Sequence, residues 1–355
     1  MRRARPDITK PPLDVRARAP LRLGLAGGGT DLSPYCDQFG GAVLNTTIDR
    51  FAFAHVAPGE PGEVFFRARD MGIEERHSLK APPSLDDGLV LHKAVYQHVV
   101  ETYLGGQPPA IVVSTTIDAP PGSGLGSSSA LVVALVEAFR VALDLPLGPY
   151  DVARLAFDIE RVKLGLAGGR QDHYAAAFGG VNYIEFLPGE RTLVSPLRVP
   201  RAYLNELESS LLICFTGQSR RSEDIIRQQI GGLESLDEQT LGAMHQLKED
   251  AGLMKQAMLR GDVRGVANVL MRSWDAKKRT AKGIATEAVD RLFDIGMAEG
   301  AWGGKVSGAG GGGFLMFCTD PENRYQLISA LNAAGGQASY VKFTFDGAEA
   351  WSVPR

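Results

Sequence analysis

Between a run of β-formers, Ile111 to Ile117, and an apolar run from Ala130 lies the segment Pro120-Pro121-Gly122-Ser123-Gly124-Leu125-Gly126-Ser127-Ser128-Ser129. Its glycines allow left-handed turns and bring bare N–H groups close to a ligand. The serines favour a helix N-terminus, after which Leu131, Leu135, Ala138 and Phe139 recur at helical spacing. A strand, a glycine-rich turn and a helix N-terminus in that order make an anion site, because unpaired N–H groups and the helix dipole both favour negative charge. The loop is not of the Walker A kind, since no Gly-Lys-Ser or Gly-Lys-Thr closes it.

Two further glycine segments flank it. Ala19-Pro20-Leu21-Arg22-Leu23 leads to Gly27-Gly28-Gly29-Thr30-Asp31, and Lys305-Val306-Ser307 leads to Gly308-Ala309-Gly310-Gly311-Gly312-Gly313. Gly308, Gly310 and Gly313 have the dinucleotide spacing G-x-G-x-x-G, but Phe314 to Cys318 reads as a strand where that fingerprint requires a helix. A nicotinamide-dependent oxidoreductase is therefore excluded. Any one glycine run can be a tight turn or a close backbone crossing. In this order and spacing, the three runs resemble the signature motifs of the GHMP kinases, the group of galactokinase, homoserine kinase, mevalonate kinase and phosphomevalonate kinase. The resemblance covers nearly the whole chain.

Composition narrows the partners. A chain of 355 residues with 44% hydrophobic content can bury two cores. A net charge of -3 and the lack of a basic block leave no track for a nucleic-acid backbone. Met1 to Pro6 is basic but runs into a polar stretch through Asp14, unlike a signal peptide, and the longest apolar run, Ala130 to Leu145, contains Glu137, Arg140 and Asp144. A cytoplasmic protein without membrane partners is expected. Cys36, Cys214 and Cys318 lack disulfide or zinc spacing.

The periodicity predicts strands at 15–25, 42–56, 63–69, 111–117, 180–187, 211–215, 313–318 and 339–344. Helices are predicted at 89–104, from within 126–130, at 151–164, 241–258, 263–278 and 286–298. A boundary falls within 188–205, giving domains 1–195 and 196–355. The fold class expected is α+β with two domains. The resemblance adds the family architecture: a mixed-sheet ATP-binding N-terminal domain and a helix-rich C-terminal domain with a ferredoxin-like antiparallel sheet.

The resemblance also assigns roles. It implies that residues Pro121, Gly122, Ser123, Gly124, Leu125, Gly126, Ser127, Ser128 and Ser129 wrap the phosphates of ATP, and that Ser128 and Glu160 approach Mg²⁺. Asp172 corresponds to the general base and Arg22 to the basic residue beside it, where a guanidinium would steady the moving phosphoryl group. Thr30 and Asp31 in the first motif, with Gly310 and Gly311 in the third, correspond to the side that holds the acceptor sugar. Plainer alternatives exist for each: Ser128 and Asp172 as helix caps, Glu160 as a surface partner of Lys163, Asp31 as a turn residue and Arg22 as an ordinary salt bridge. No histidine is required by the pattern, and His173 is left out of the expected site.

Leu25-Ala26-Gly27-Gly28-Gly29-Thr30-Asp31, the segment Gln171 to Gly180, Ser273 to Lys278 and the closing Phe345 to Trp351 most resemble the subfamily acting on D-glycero-D-manno-heptose 7-phosphate. The resemblance implies transfer to the anomeric hydroxyl. A phosphorylated acceptor needs a cation, for which Arg220 is the first candidate, ahead of Arg221, Lys277 and Lys278. Other readings are a fucose, galactose or mevalonate kinase, and a sugar- or nucleotide-sensing protein that keeps the fold without catalysis.

Overall fold

The computed structural model describes residues 14–217 and 222–353, so Arg220 and Arg221 lie outside the described residues. Eight strands make the first sheet: β1 (Val15–Ala26), β2 (Gly41–Pro58), β3 (Glu63–Ala68), β4 (Ile73–Ser78), β5 (Ile111–Ile117), β6 (Val181–Leu187), β7 (Arg191–Pro196) and, from the end of the chain, β12 (Glu349–Ser352). The path runs β12-β1-β2-β5-β3-β4, with β6 and β7 branching from β2. All pairs are antiparallel except β3 with β5, so the sheet is mixed as expected.

β1 changes character along its length. Val15, Ala17 and Ala19 are buried and alternate with Arg16 and Arg18, but from Ala19 onward every residue is buried. The helix Ser127–Ala142 packs across β1 and β2 and is itself buried along Ala130 to Phe139, so both faces of the sheet are covered there. Arg22 thus becomes a buried cation. The β1–β2 register slips between Pro20 and Arg22, where Pro20, lacking an N–H, interrupts the ladder.

The second sheet is antiparallel: β8 (Leu211–Phe215), β9 (Ala301–Val306), β10 (Phe314–Thr319) and β11 (Gln337–Tyr340), in the order β11-β8-β10-β9. With helices Glu287–Ala298 and Arg324–Ala333 it forms the β-α-β-β-α-β succession of a ferredoxin-like unit. Alternate residues face opposite ways. Leu212, Cys214, Leu315 and Phe317 pack with Leu292, Leu327 and Leu331, while Leu211, Ile213, Met316 and Cys318 join the core of the first sheet. Helices Glu238–Arg260 and Val263–Lys278 pack against each other, and both also reach β1.

Several elements differ from expectation. β4, β7, β9 and β12 are additional strands, and helices Gln171–Phe178, Arg201–Ser210, Ser222–Glu234 and Arg324–Ala333 are additional helices. The glycines of β9 hide its strand character: a Cβ at Gly303 would overlap the Ala267 carbonyl, and one at Gly304 the Met316 carbonyl. The helix expected at 151–164 is α-helical over Pro149–Phe157 and then widens into a π-turn over Asp158–Lys163. β12 returns the end of the chain to the first sheet.

Candidate active site

Two adjoining cavities meet at Arg22, Asp172, Ile226, Gly308 and Ala309. One is lined by Pro121, Gly122, Gly124, Gly126 and Ser127 to Ser129, with Glu160 and Arg161. The other is lined by Gly28, Gly29, Asp31, Gln171, Lys277 and Lys305. The three glycine motifs, far apart in sequence, therefore converge on one place.

In the central loop the glycines divide by task. Gly122, Gly124 and Gly126 all take positive φ, which suits glycine. Gly124 crosses the third motif backbone to backbone, so that a Cβ there would overlap the Ser307 carbonyl. Gly126 sits at the N-cap of helix Ser127–Ala142, where a Cβ would lie 3.1 Å from Asp172 Cγ. Ser123 and Leu125 are buried: Ser123 O accepts from Phe314 N at 3.0 Å and Leu125 O from Arg22 N at 3.0 Å. They fix the loop to β10 and β1 and do not line the cavity.

Ser128 caps nothing. Its hydroxyl donates to Glu160 Oε1 at 2.5 Å, and Ser129 donates to Oε2 at 2.7 Å. His173 Nε2 lies 2.6 Å from Glu160 Oε2, and Arg161 Nη2 is 3.4 Å from the same oxygen. Burial alone would push the Glu160 carboxyl up, but Arg161, His173 and Ser128 together hold it at about 2. Because the carboxylate is ionised, the imidazole nitrogen facing it carries the proton. Lys163 pairs with Glu101 instead of Glu160. His173 and Arg161 are the partners that sequence reasoning missed, since nothing in their spacing reveals a meeting created by a π-turn and a separate short helix.

Arg22 donates through Nε to Asp172 Oδ1 at 2.7 Å and through Nη1 to the Gly124 carbonyl at 2.6 Å. Asp172 stands in the first turn of helix Gln171–Phe178, but its side chain does not cap that helix. Its Oδ2 has no protein donor among the described residues. Asp31 Oδ1 accepts from Gly29 N at 3.1 Å and Gln171 Nε2 at 2.9 Å, while Oδ2 accepts from Gln171 N at 3.0 Å. Gly168 and Gly169 allow close approach: side chains there would overlap Arg161 and Asp31 respectively.

Three expected acceptor residues are placed elsewhere. The Thr30 hydroxyl is fully buried and exchanges hydrogen bonds with the Ala42 backbone at 2.9 and 3.0 Å, so it is not presented to the cavity. Gly310 and Gly311 pack on Ile284, with Gly311 N donating to its carbonyl at 2.8 Å, while Gly308 and Ala309 line the cavities. Instead, Lys277 and Lys305 line the cavity of Asp31 and Gln171. In the sequence Lys305 is a lone cation ahead of a glycine motif, and only the buried strand β9 brings it to the cavity.

A mixed sheet and a ferredoxin-like unit, with a glycine-rich loop opening a helix onto paired cavities, define a small-molecule phosphotransferase. Residues 90–180 match the model of the GHMP kinases N-terminal domain and residues 254–337 that of the GHMP kinases C-terminal region. The D-glycero-alpha-D-manno-heptose 7-phosphate kinase of Campylobacter jejuni is 40% identical across 96% of this chain and 99% of its own. The crystal structure of a D-glycero-D-manno-heptose 1-phosphate kinase from Bacteroides thetaiotaomicron superposes with a TM-score of 0.82 at 38% identity, over 96% of this chain and 100% of that one. Lactococcus lactis galactokinase, solved with galactose, shares the fold alone, with a TM-score of 0.74 at 16% identity over 96% of this chain and 95% of that one. The chain belongs to the GHMP kinase family. It is accordingly a kinase that uses ATP and a small-molecule acceptor, with the α+β fold expected from its motifs. No helix among the described residues is long and apolar enough to cross a membrane.

Proposed function

We propose that this kinase transfers the γ-phosphoryl group of ATP to the anomeric hydroxyl of D-glycero-D-manno-heptose 7-phosphate, giving the 1,7-bisphosphate. The reading rests on one observation above the others: the Arg22–Asp172 ion pair stands on the wall shared by the two cavities. The near-full-length relative that acts on this heptose phosphate supports the choice of acceptor.

In this reading the loop from Pro121 to Ser129 holds the phosphates of ATP, chiefly through N–H groups at the helix N-terminus. The acceptor lies in the second cavity against Asp31 and Gln171. Asp172 accepts the proton of the anomeric hydroxyl at its uncommitted Oδ2 while that oxygen attacks the γ-phosphorus. The bond from phosphorus to the bridging oxygen breaks, and ADP departs. Arg22 holds Asp172 in place and offsets charge on the moving group.

Ser128 and Glu160 supply a hydroxyl and an ionised carboxylate at the donor cavity, the hard oxygen donors that suit Mg²⁺ alongside phosphate oxygens and water. When bound, Mg²⁺ would neutralise phosphate charge. The division into domains 1–195 and 196–355 is retained with β12 as a returning strand of the first, and a cytoplasmic site of action goes with the activity proposed.

The test is ADP release with Mg²⁺ against heptose 7-phosphate, unphosphorylated heptose, mannose, fucose, galactose and mevalonate. Selective turnover of the heptose phosphate, with the 1,7-bisphosphate seen by NMR, is expected. Preference for another acceptor would replace the substrate, and no turnover across the panel would favour a sensing role.

A further inference from the structure

Lys277 and Lys305 are both buried and both line the acceptor cavity. Lys277, on helix Val263–Lys278, donates to the Gly28 carbonyl at 3.2 Å, in the loop that ends at Asp31. Lys305, on β9, donates to the Gly24 carbonyl at 2.8 Å, two residues along β1 from Arg22. Neither makes an ion pair with a carboxylate among the described residues. The equally buried Lys93 shows the ordinary arrangement, since it pairs with both Glu75 and Asp87 at 3.3 Å.

Holding an ammonium away from water without a counter-ion is costly, and the cost persists unless something else supplies the charge. Each ammonium has three donors and spends one on a carbonyl, which leaves the rest for a ligand. Neither acid of this cavity contacts these amines: Asp172 is paired with Arg22, and Asp31, held by neutral donors from Gly29 and Gln171, acts on Lys277 only at a distance. Burial pushes Lys277 down to about 8, against the pull of Asp31, and pushes Lys305 to about 7 with help from Lys277 and Arg22. Both amines belong to the cavity of Asp31 and Gln171, not to that of Ser127–Ser129 and Glu160.

We propose that Lys277, with Lys305 beside it, is the binding pole for a phosphate monoester carried by the acceptor sugar, and sets the preference for a phosphorylated acceptor. Along β1 and the loop after it the contacts follow in the order Arg22 with Asp172, Gly24 with Lys305 and Gly28 with Lys277, so an acceptor with its anomeric hydroxyl at Asp172 can direct its phosphate toward the two amines. The inference rests on the heptose 7-phosphate reading, and it moves the phosphate contact from the undescribed Arg220 to Lys277.

The experiment compares kcat/KM for heptose 7-phosphate and for unphosphorylated heptose in the unmodified enzyme, Lys277→Met and Lys277→Arg. In Lys277→Met the ratio of the two should fall by about tenfold or more, with the loss in KM for the phosphorylated sugar, and Lys277→Arg should restore part of it. Equal losses for both acceptors would assign Lys277 to the transferred phosphoryl group and overturn the proposal; so would an unchanged ratio. Failure of the unmodified enzyme to use heptose 7-phosphate would instead remove the parent reading. Should the variants not fold, inorganic phosphate on the unmodified enzyme decides the matter. Inhibition competitive with heptose 7-phosphate supports the proposal, and its absence, or competition with ATP alone, overturns it.

Discussion

Asp172 and Lys305 show how one buried setting gives charged residues different chemistry. Asp172 keeps one oxygen on Arg22 and leaves the other facing both cavities, so Asp172→Asn removes the proton acceptor while hardly altering shape. The expected result is a kcat lower by about 10³-fold with ATP binding retained, measured by ADP release and by nucleotide titration. Lys305 is buried with no carboxylate in contact, and burial, with Lys277 and Arg22 nearby, pushes it down to about 7. In the unfolded chain it stays protonated to near 10.4, so above pH 7 the unfolded state binds the extra proton and stability must rise with pH. Through Lys305 the ligand-free protein should gain about 2 kcal/mol between pH 7 and 9, with Lys277, pushed down to about 8, adding to the rise; denaturant titration should show Lys305→Met removing the Lys305 share and leaving that of Lys277. The family resemblance pointed to Arg22, Ser128, Glu160 and Asp172, and the fold brings all four to one cavity. Sequence could not show that Thr30 turns its hydroxyl inward to Ala42, because an exposed and a buried threonine are written alike.

At the scale of elements, the phosphate loop is legible because its chemistry is local: glycine, serine and an apolar helix in one continuous stretch. The π-turn at Asp158–Lys163 was hidden, since a widened turn uses the same residues as an α-helix and differs only in what it packs against. The glycines of the loop give a prediction that separates packing from chemistry. Gly124 and Gly126 have φ values of 76° and 74°, so alanine at either incurs a similar left-handed cost of about 1–2 kcal/mol. Gly124→Ala also collides with the Ser307 carbonyl, a rigid neighbour, and should lower the melting temperature by several degrees more than Gly126→Ala. Gly126→Ala instead pushes on the Asp172 side chain and should lose the larger share of kcat. Melting curves and turnover on the two variants check both halves, and equal effects of the two substitutions would reject this division of labour.

For the whole molecule, the end of the chain supports its beginning. β12 pairs with β1 from Val15↔Ser352 to Arg18↔Glu349, and Arg18 and Glu349 form an ion pair at 2.5 Å. Just before it, Gly347 packs on the carbonyl of Ala177 in the helix that carries Asp172 and His173. Neither contact was readable from sequence, because pairing across more than three hundred residues leaves no local pattern and Glu349-Ala350-Trp351-Ser352 is a short strand with mixed polarity. Removing residues 349–355 uncovers the N–H and C=O groups along the first turns of the β1 ladder, and an uncovered edge recruits other strands. The shortened protein should melt several degrees lower and associate in a concentration-dependent way by light scattering. Arg22 lies beyond the stretch that β12 covers and keeps its pairing with Thr47 on β2. Turnover of dilute protein at low temperature should therefore stay near that of the full chain, and a matching collapse of kcat would mean that β12 sets the position of Arg22 as well as closing the sheet.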